Sequence, residues 1–311
     1  MKQFHKHALA AAFAAIVTVP THAAPVVTTM DAGSLTASNL VTTLLSGTSD
    51  VTVVAGSESY TGSLSASGKF TNGGNNIANS VGIQNGVILT SGDATFVSLP
   101  NDNGGYTGNN NSPGSALLNS LGQGLTNNAS VLSFRFIPNG NFVQFSYVFG
   151  SEEYNNFVNT QFNDVFGFFV NGTNYALLPG TTTPVAINNV NCGGPTGGAA
   201  NHVNEANCQY FRDNPPLSGL IDVQLDGLTK ILSFVAPVNS GVENLIELGI
   251  ADVSDSNLDS AVFIRGASFS TCGGPNQPRC GTDVPEPGSL VLFAIGIAGL
   301  ARMRRRCGES R

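Results

Sequence analysis

The sequence has no tryptophan, only 13 lysines and arginines against 20 aspartates and glutamates, and a single histidine, His202, beyond its first 22 residues. Nor does it contain an apolar run of the roughly 18 residues that a lasting transmembrane helix requires. Each scarcity closes off a class of function. Ser-His-Asp and Cys-His catalysis would both have to use His202, which stands in a Gly/Asn-rich stretch with no GxSxG or cysteine signature beside it. Zinc fails on spacing, because no two of the five cysteines form a CxxC. Without tryptophan, sugar stacking falls to Tyr60, Tyr106, Tyr154, Tyr175 and Tyr210, which serve a folded core equally well. Segment 24–283 holds six basic and 18 acidic residues, a net charge of −12. Such a balance repels nucleic acid and anionic headgroups and suits cations or neutral polymers.

Apolar residues run together only at the two ends. At the start, MKQFHKHALAAAFAAIVTVPTHAAP places Lys2 and Lys6 before the apolar stretch Ala8 to Val19, and Thr21-His22-Ala23 sets a small residue on each side of a cut. This predicts a signal peptide over residues 1–23, a helix removed by signal peptidase after Ala23. Cutting one residue later would leave Pro25 at the new N-terminus, which that enzyme handles badly. At the other end, Ser289 to Ala301 forms a transmembrane stub of 13 residues. It reaches about 20 Å as a helix, against a hydrocarbon core of about 30 Å. Arg302, Arg304, Arg305 and Arg306 can snorkel to the cytosolic surface, which makes inner-membrane anchoring feasible but transient. Pro285-Glu286-Pro287, the stub and the arginines, in that order over residues 284–311, resemble the PEP-CTERM sorting signal of Gram-negative bacteria. The resemblance implies export across the inner membrane, cleavage of the tail by an exosortase, and a final place at the cell surface or outside it. One departure is the CGESR that follows the arginines.

Between these ends, residues 24–283 read as one mainly β domain: a single antiparallel β-sandwich, jelly-roll-like, with one short N-terminal helix and long decorated loops. FVQFSYVF, from Phe142 to Phe149, puts Val143, Phe145, Tyr147 and Phe149 on one face, with Phe142 and Val148 making the other apolar too. That pattern predicts a central strand buried on both sides. VFGFFV, from Val165 to Val170, is a second, ended by the hairpin signal Asn171-Gly172 before TNYALL returns. Further strands are expected at Val51–Val54, Gly86–Thr90, Val131–Ile137, Leu220–Leu225, Ile231–Val235, Leu245–Ile250 and Ala261–Ser268. A helix is expected in SLTASNLVTTLLSG, where Leu40, Val41, Leu44 and Leu45 share a stripe and Gly47 can close it. Two long polar loops, Pro100 to Gly114 and Asn188 to Pro216, are of the length that is usually functional or mobile. Cys192, Cys208, Cys272 and Cys280 lie in this body and allow three pairings. The local one, Cys192–Cys208 with Cys272–Cys280, closes the shortest loops and is the expected one. Cys307 lies beyond the arginines and would leave with the tail.

Carboxylates concentrate at two places, in FGSEEYNNFVNTQFNDVFGFF and in IADVSDSNLDSAVFI, with scarcely a basic residue nearby. Phe149 to Tyr154 (FGSEEY), Asn163 to Phe166 (NDVF), Ala251 to Phe263 and GVILTSG at Gly86 to Gly92 resemble the motifs of the bacterial choice-of-anchor L domain. That likeness runs from about Leu35 to Ser270. It implies a surface domain carried on differing anchors, with no catalytic activity; the sorting-signal resemblance adds a place beside exopolysaccharide or other surface glycans, and the two together imply a non-enzymatic cell-surface or biofilm-matrix protein.

The acids admit two readings on their own chemistry. Glu152, Glu153, Asp164, Asp252, Asp255 and Asp259, with Asn163 and Asn257, offer the oxygen ligands that Ca²⁺ takes, without competing amines. An EF-hand is excluded, because Ser260 follows Asp259 where that loop needs glycine and Gly266 stands where it needs glutamate. The other reading is that the same side chains cap turns and satisfy loop amides. A secreted hydrolase would need two carboxyls about 5–10 Å apart across one bond. Glu152 and Glu153 point to opposite faces of a strand, so one of them would need Asp164 or a distant acid as its partner, and Glu152 with Asp164 is the pair expected for that role. Binding of exopolysaccharide, as an adhesin would, is the third class these residues admit.

Overall fold

The computed structural model describes residues 24–75, 77–193 and 205–272. The expected signal peptide with its cut after Ala23, Cys280, the Pro-Glu-Pro motif, the expected transmembrane stub and Arg302 to Arg306 lie outside the described residues. Among those described, no helix is long and apolar enough to cross a membrane.

Two antiparallel sheets and little helix make up the chain, and neither sheet closes into a barrel. The first sheet has nine strands. Its path runs β1 (Val26–Thr29), β4 (Ser67–Thr71), β5 (Gly86–Thr90), β14 (Ser260–Arg265), β7 (Phe142–Ser151), β11 (Gly227–Thr229) and β10 (Phe211–Asp213). β12 (Leu232–Pro237) and β15 (Ser270–Cys272) also pair with β7. The second sheet has six strands, in the order β2 (Val51–Val53), β6 (Thr126–Pro138), β13 (Asn244–Val253), β8 (Val165–Val170) and β9 (Thr173–Asn174), with β3 (Ser59–Thr61) also on β6.

The predicted alternation in β7 explains how the sheets meet. Val143, Phe145, Tyr147 and Phe149 face a core shared with Leu132, Phe134 and Phe136 of β6, Phe166 and Phe168 of β8, and Ile246, Leu248 and Ile250 of β13. Phe145 sits edge-on to Phe168 and Phe234, with ring centroids 4.6 and 4.1 Å away. Such aromatic pairs add about 0.5–1.5 kcal/mol each beyond burial. Val148, on the opposite face of β7, packs instead with Phe70, Ile88, Phe96, Val223, Leu225 and Phe263, so both faces are covered from Tyr147 onward, whereas Phe142, Gln144 and Ser146 are only partly buried and the first half of the strand is fully covered on one side alone.

Other expectations hold with small changes of boundary. The helix α1 (Ala37–Leu45) buries Leu40, Val41 and Leu44, ends just before Gly47, and starts with a capping box in which Thr36 and Asn39 satisfy each other's backbone amides. Asn171 and Gly172 both take positive φ, 51° and 82°, the conformation a two-residue hairpin turn demands. The return strand β9 is only two residues long.

Leu220–Leu225 is not a strand. Ile221, Val223 and Leu225 are buried, which accounts for the period-two pattern, but they cover the outer face of the first sheet. Asn214 takes the place of a ladder: its Nδ2 donates to the carbonyls of Val223 (3.1 Å) and Leu225 (2.8 Å), and its Oδ1 accepts from Ile221 N–H (2.9 Å). Asn101 adds a further amide bond to the Leu225 carbonyl (3.2 Å). Cys192 and Cys208 form a disulfide, as expected, just before β10; the pairing expected for Cys272 falls on residues outside those described.

Candidate functional site

The acidic motifs meet because their strands begin or end at the same edge of the two sheets. Ser151 closes β7 and pairs with Ser260 at the start of β14, while Thr90 at the end of β5 pairs with Ala261. In the second sheet Ala251, near the end of β13, pairs with Val165 at the start of β8. Glu152, Glu153, Asp164, Asp252 and Asp259 thus sit at or just beyond these strand ends, and all five are buried. Asp164 joins the layers: one oxygen accepts from Val253 N–H of the second sheet (3.0 Å), the other from the Ser260 hydroxyl of the first (2.7 Å). A bulge positions Asp252. The β6–β13 register slips between Ile250 and Asp252, with Asn128 of β6 at a φ of 50°, and the Asn128 amide donates to Asp252 Oδ2 (3.0 Å).

The long loop from Pro100 to Gly114 is laid across this edge as a strap. Tyr106 N–H reaches Glu152 Oε2 (3.4 Å), Gly108 N–H reaches Asp259 Oδ2 (2.6 Å), and the Asn110 amide reaches the Ser91 carbonyl (2.8 Å). Gly92 is required beneath it, because a Cβ there would run into both carboxylate oxygens of Asp259. Three carboxylate oxygens find no hydrogen-bond partner: Glu153 Oε2, Asp252 Oδ1 and Asp259 Oδ1, each buried. A buried acceptor left so costs about 1–3 kcal/mol, more when charged.

Burial is the first cause of raised proton affinity at every one of these groups. It pushes Glu153 to about 9, with the charges of Asp255 and Asp252 adding to the rise, and Glu152 to about 8, with Asp226 adding. Asp259 rises to about 7 despite the Gly108 amide, which favours the carboxylate. Asp164 and Asp252 lie well above the ordinary aspartate range, through burial and then through Glu153 and Asp164 respectively. No basic side chain offsets this. Among the described residues the ion pair is Arg135–Glu243, 2.6 Å apart and exposed on the far strands.

The Choice-of-anchor L domain family matches residues 27–270, most of the chain, from β1 to the first residue of β15. The chain belongs to the choice-of-anchor L family. A PEP-CTERM protein-sorting motif matches residues 283–306, after that domain. The motif marks export across the inner membrane of a Gram-negative cell, processing by an exosortase, and a surface location afterwards. No curated protein and no solved structure matches the chain.

Within this choice-of-anchor L domain the six expected acidic ligands separate into three settings. Glu153, Asp164, Asp252 and Asp259 form one mutually repelling group, linked through their charges. Glu152 accepts from Gln224 (3.2 Å) and interacts chiefly with Asp226, a buried acid that the sequence pattern did not single out, and less with Asp259. Asp226 is held by the Asn101 amide (2.9 Å) and raised to about 7 by burial. Asp255 is only partly buried and caps its own turn, accepting from the backbone and side chain of Asn257 (3.1 and 3.0 Å), which is the turn-capping role. Asn163 bonds Gln123 and Asn188 and faces no acid among these contacts. The remaining partners, Ser91, Asn128, Asn101 and Gln224, are neutral, so no run of charge advertised them. Glu152 and Asp164, the pair a hydrolase would use, are 0% and 1% exposed, out of reach of a polymer's glycosidic bond. Tyr154 is buried against Phe211, and Tyr60, Tyr106, Tyr175 and Tyr210 are each partly covered, so none presents a fully open stacking face.

Proposed function

We propose that the chain is a non-catalytic surface or extracellular-matrix protein. In this reading residues 1–23 are a signal peptide, 24–283 a single β-sandwich, and 284–311 a tail that anchors the chain in the inner membrane until an exosortase removes it. The observation that carries the proposal is the sorting motif following a domain whose acids are sealed from solvent. Sealed carboxyls suit a stabilising role rather than turnover, and a hard cation such as Ca²⁺ is the partner their oxygens suit. An exopolysaccharide partner would be held by the polar loops, since the tyrosines are largely covered.

Intact mass of the protein recovered from the cell exterior tests this reading. The expected mass begins at Ala24 and lacks Arg302 to Arg306. A full-length chain with free thiols in the cytosol would overturn it. A glycan array with the same material decides between a recognition module and a passive coat.

A further inference from the structure

We propose that Asp252 Oδ1 and Asp259 Oδ1 are ligands of one Ca²⁺-class cation, whose other oxygens are neutral and come from the strap and from Ser91–Gly92. The inference rests on the cation reading above and assigns its place. Both oxygens belong to side chains with 0% exposure, and neither has a hydrogen-bond partner, although the second oxygen of each carboxylate is held, by Asn128 and by Gly108 N–H. A carboxylate fixed by one oxygen and unpartnered at the other is oriented as a monodentate ligand.

The missing Cβ of Gly92 leaves room for the Asp259 carboxylate. Ser91 lies beside Asp252, whose ionised form it favours, and its hydroxyl accepts from Ser260 N–H (2.9 Å) while its carbonyl takes the strap amide of Asn110. The charges around Asp259 are all of one sign: Asp252 and Asp164 from the second sheet, Glu152 from β7, and Asp93 after β5. Among the described residues no three acidic, histidine or cysteine side chains gather into a metal-holding group. The proposed ion therefore has two carboxylate ligands, and the rest of its six to eight oxygens come from hydroxyls, amides and backbone carbonyls. Such an ion would pin the strap, β5, the end of β13 and the start of β14 to one point.

Calorimetric titration of the metal-free exported protein with CaCl₂ tests the assignment, with thermal melts beside it. One Ca²⁺ is expected to bind and to raise the melting temperature. Asp252→Asn and Asp259→Asn should each weaken binding about tenfold or more. Both variants replace a buried carboxyl by its neutral isostere, so their metal-free melts should match or exceed the wild type, which separates lost ligation from lost folding. Asp255→Asn, on the turn-capping acid, should bind as the wild type does. Full affinity in both ligand variants would overturn this placement and leave the cation reading standing. No heat and no melt shift in the wild type would overturn both.

Discussion

Asp226 gives the sharpest test of the buried-acid description, because it lies away from the proposed ion and the Asn101 amide holds it in a defined place. Burial lifts its carboxyl from 3.8 to about 7. A folded-state value above the unfolded one means that the contribution is fully present below about pH 4 and is lost as pH rises to about 7. Above that both states are ionised and the loss is complete. At about 1.4 kcal/mol per pH unit, the loss comes to about 4 kcal/mol. For a domain of this size that corresponds to a fall of roughly 10 °C in melting temperature. Asp226→Asn keeps an oxygen for Asn101 and removes the ionisation. Melts of both proteins from pH 4 to 8, in excess chelator and at fixed ionic strength, should show the wild type losing about 10 °C more than the variant. Parallel curves would refute the claim that burial of this carboxyl costs stability. A steeper fall in the variant would reverse its sign.

Three further outcomes follow from the geometry. Asp164→Ala leaves the Val253 amide and the Ser260 hydroxyl without their shared acceptor, and urea unfolding should show a loss of about 2–5 kcal/mol. Reduction of Cys192–Cys208, 16 residues apart, should cost about 3 kcal/mol in the same assay. Gly92→Ala drives a methyl into the Asp259 carboxylate, so its melt should fall by an amount equivalent to about 1–3 kcal/mol, with any Ca²⁺ response reduced.

What could be read from the sequence was what has a strong local pattern. β5 and β8 are buried on both faces, β7 alternates apolar residues into the core, and Asn171-Gly172 specifies its own turn. β1, β3, β4, β10, β11 and β15 escaped because they are three to five residues long and largely polar, taking strand geometry from their partners. β6 and β13 extend beyond the apolar runs, since their ends carry the Asn and Asp residues of the bulge. In Leu220–Leu225 the alternation was real but reported burial of alternate side chains, not pairing of the backbone. The acids other than Asp226 were legible. Their division into a cluster, a Glu152–Asp226 pair and a turn cap was not, because it depends on neutral partners distant in the chain, such as Asn128, 124 residues before Asp252.

The cover over the first sheet hangs on two asparagines rather than on a strand ladder, so its durability rests on their amides. Pro215 follows Asn214 and carries no N–H, which closes the succinimide route by which an asparagine loses side-chain ammonia, so the main peg of the cover is guarded against ageing. The segment from Ile221 to Leu225 can still lift while both ladders stay whole, and amide exchange there should be faster than in the paired strands long before any global melt.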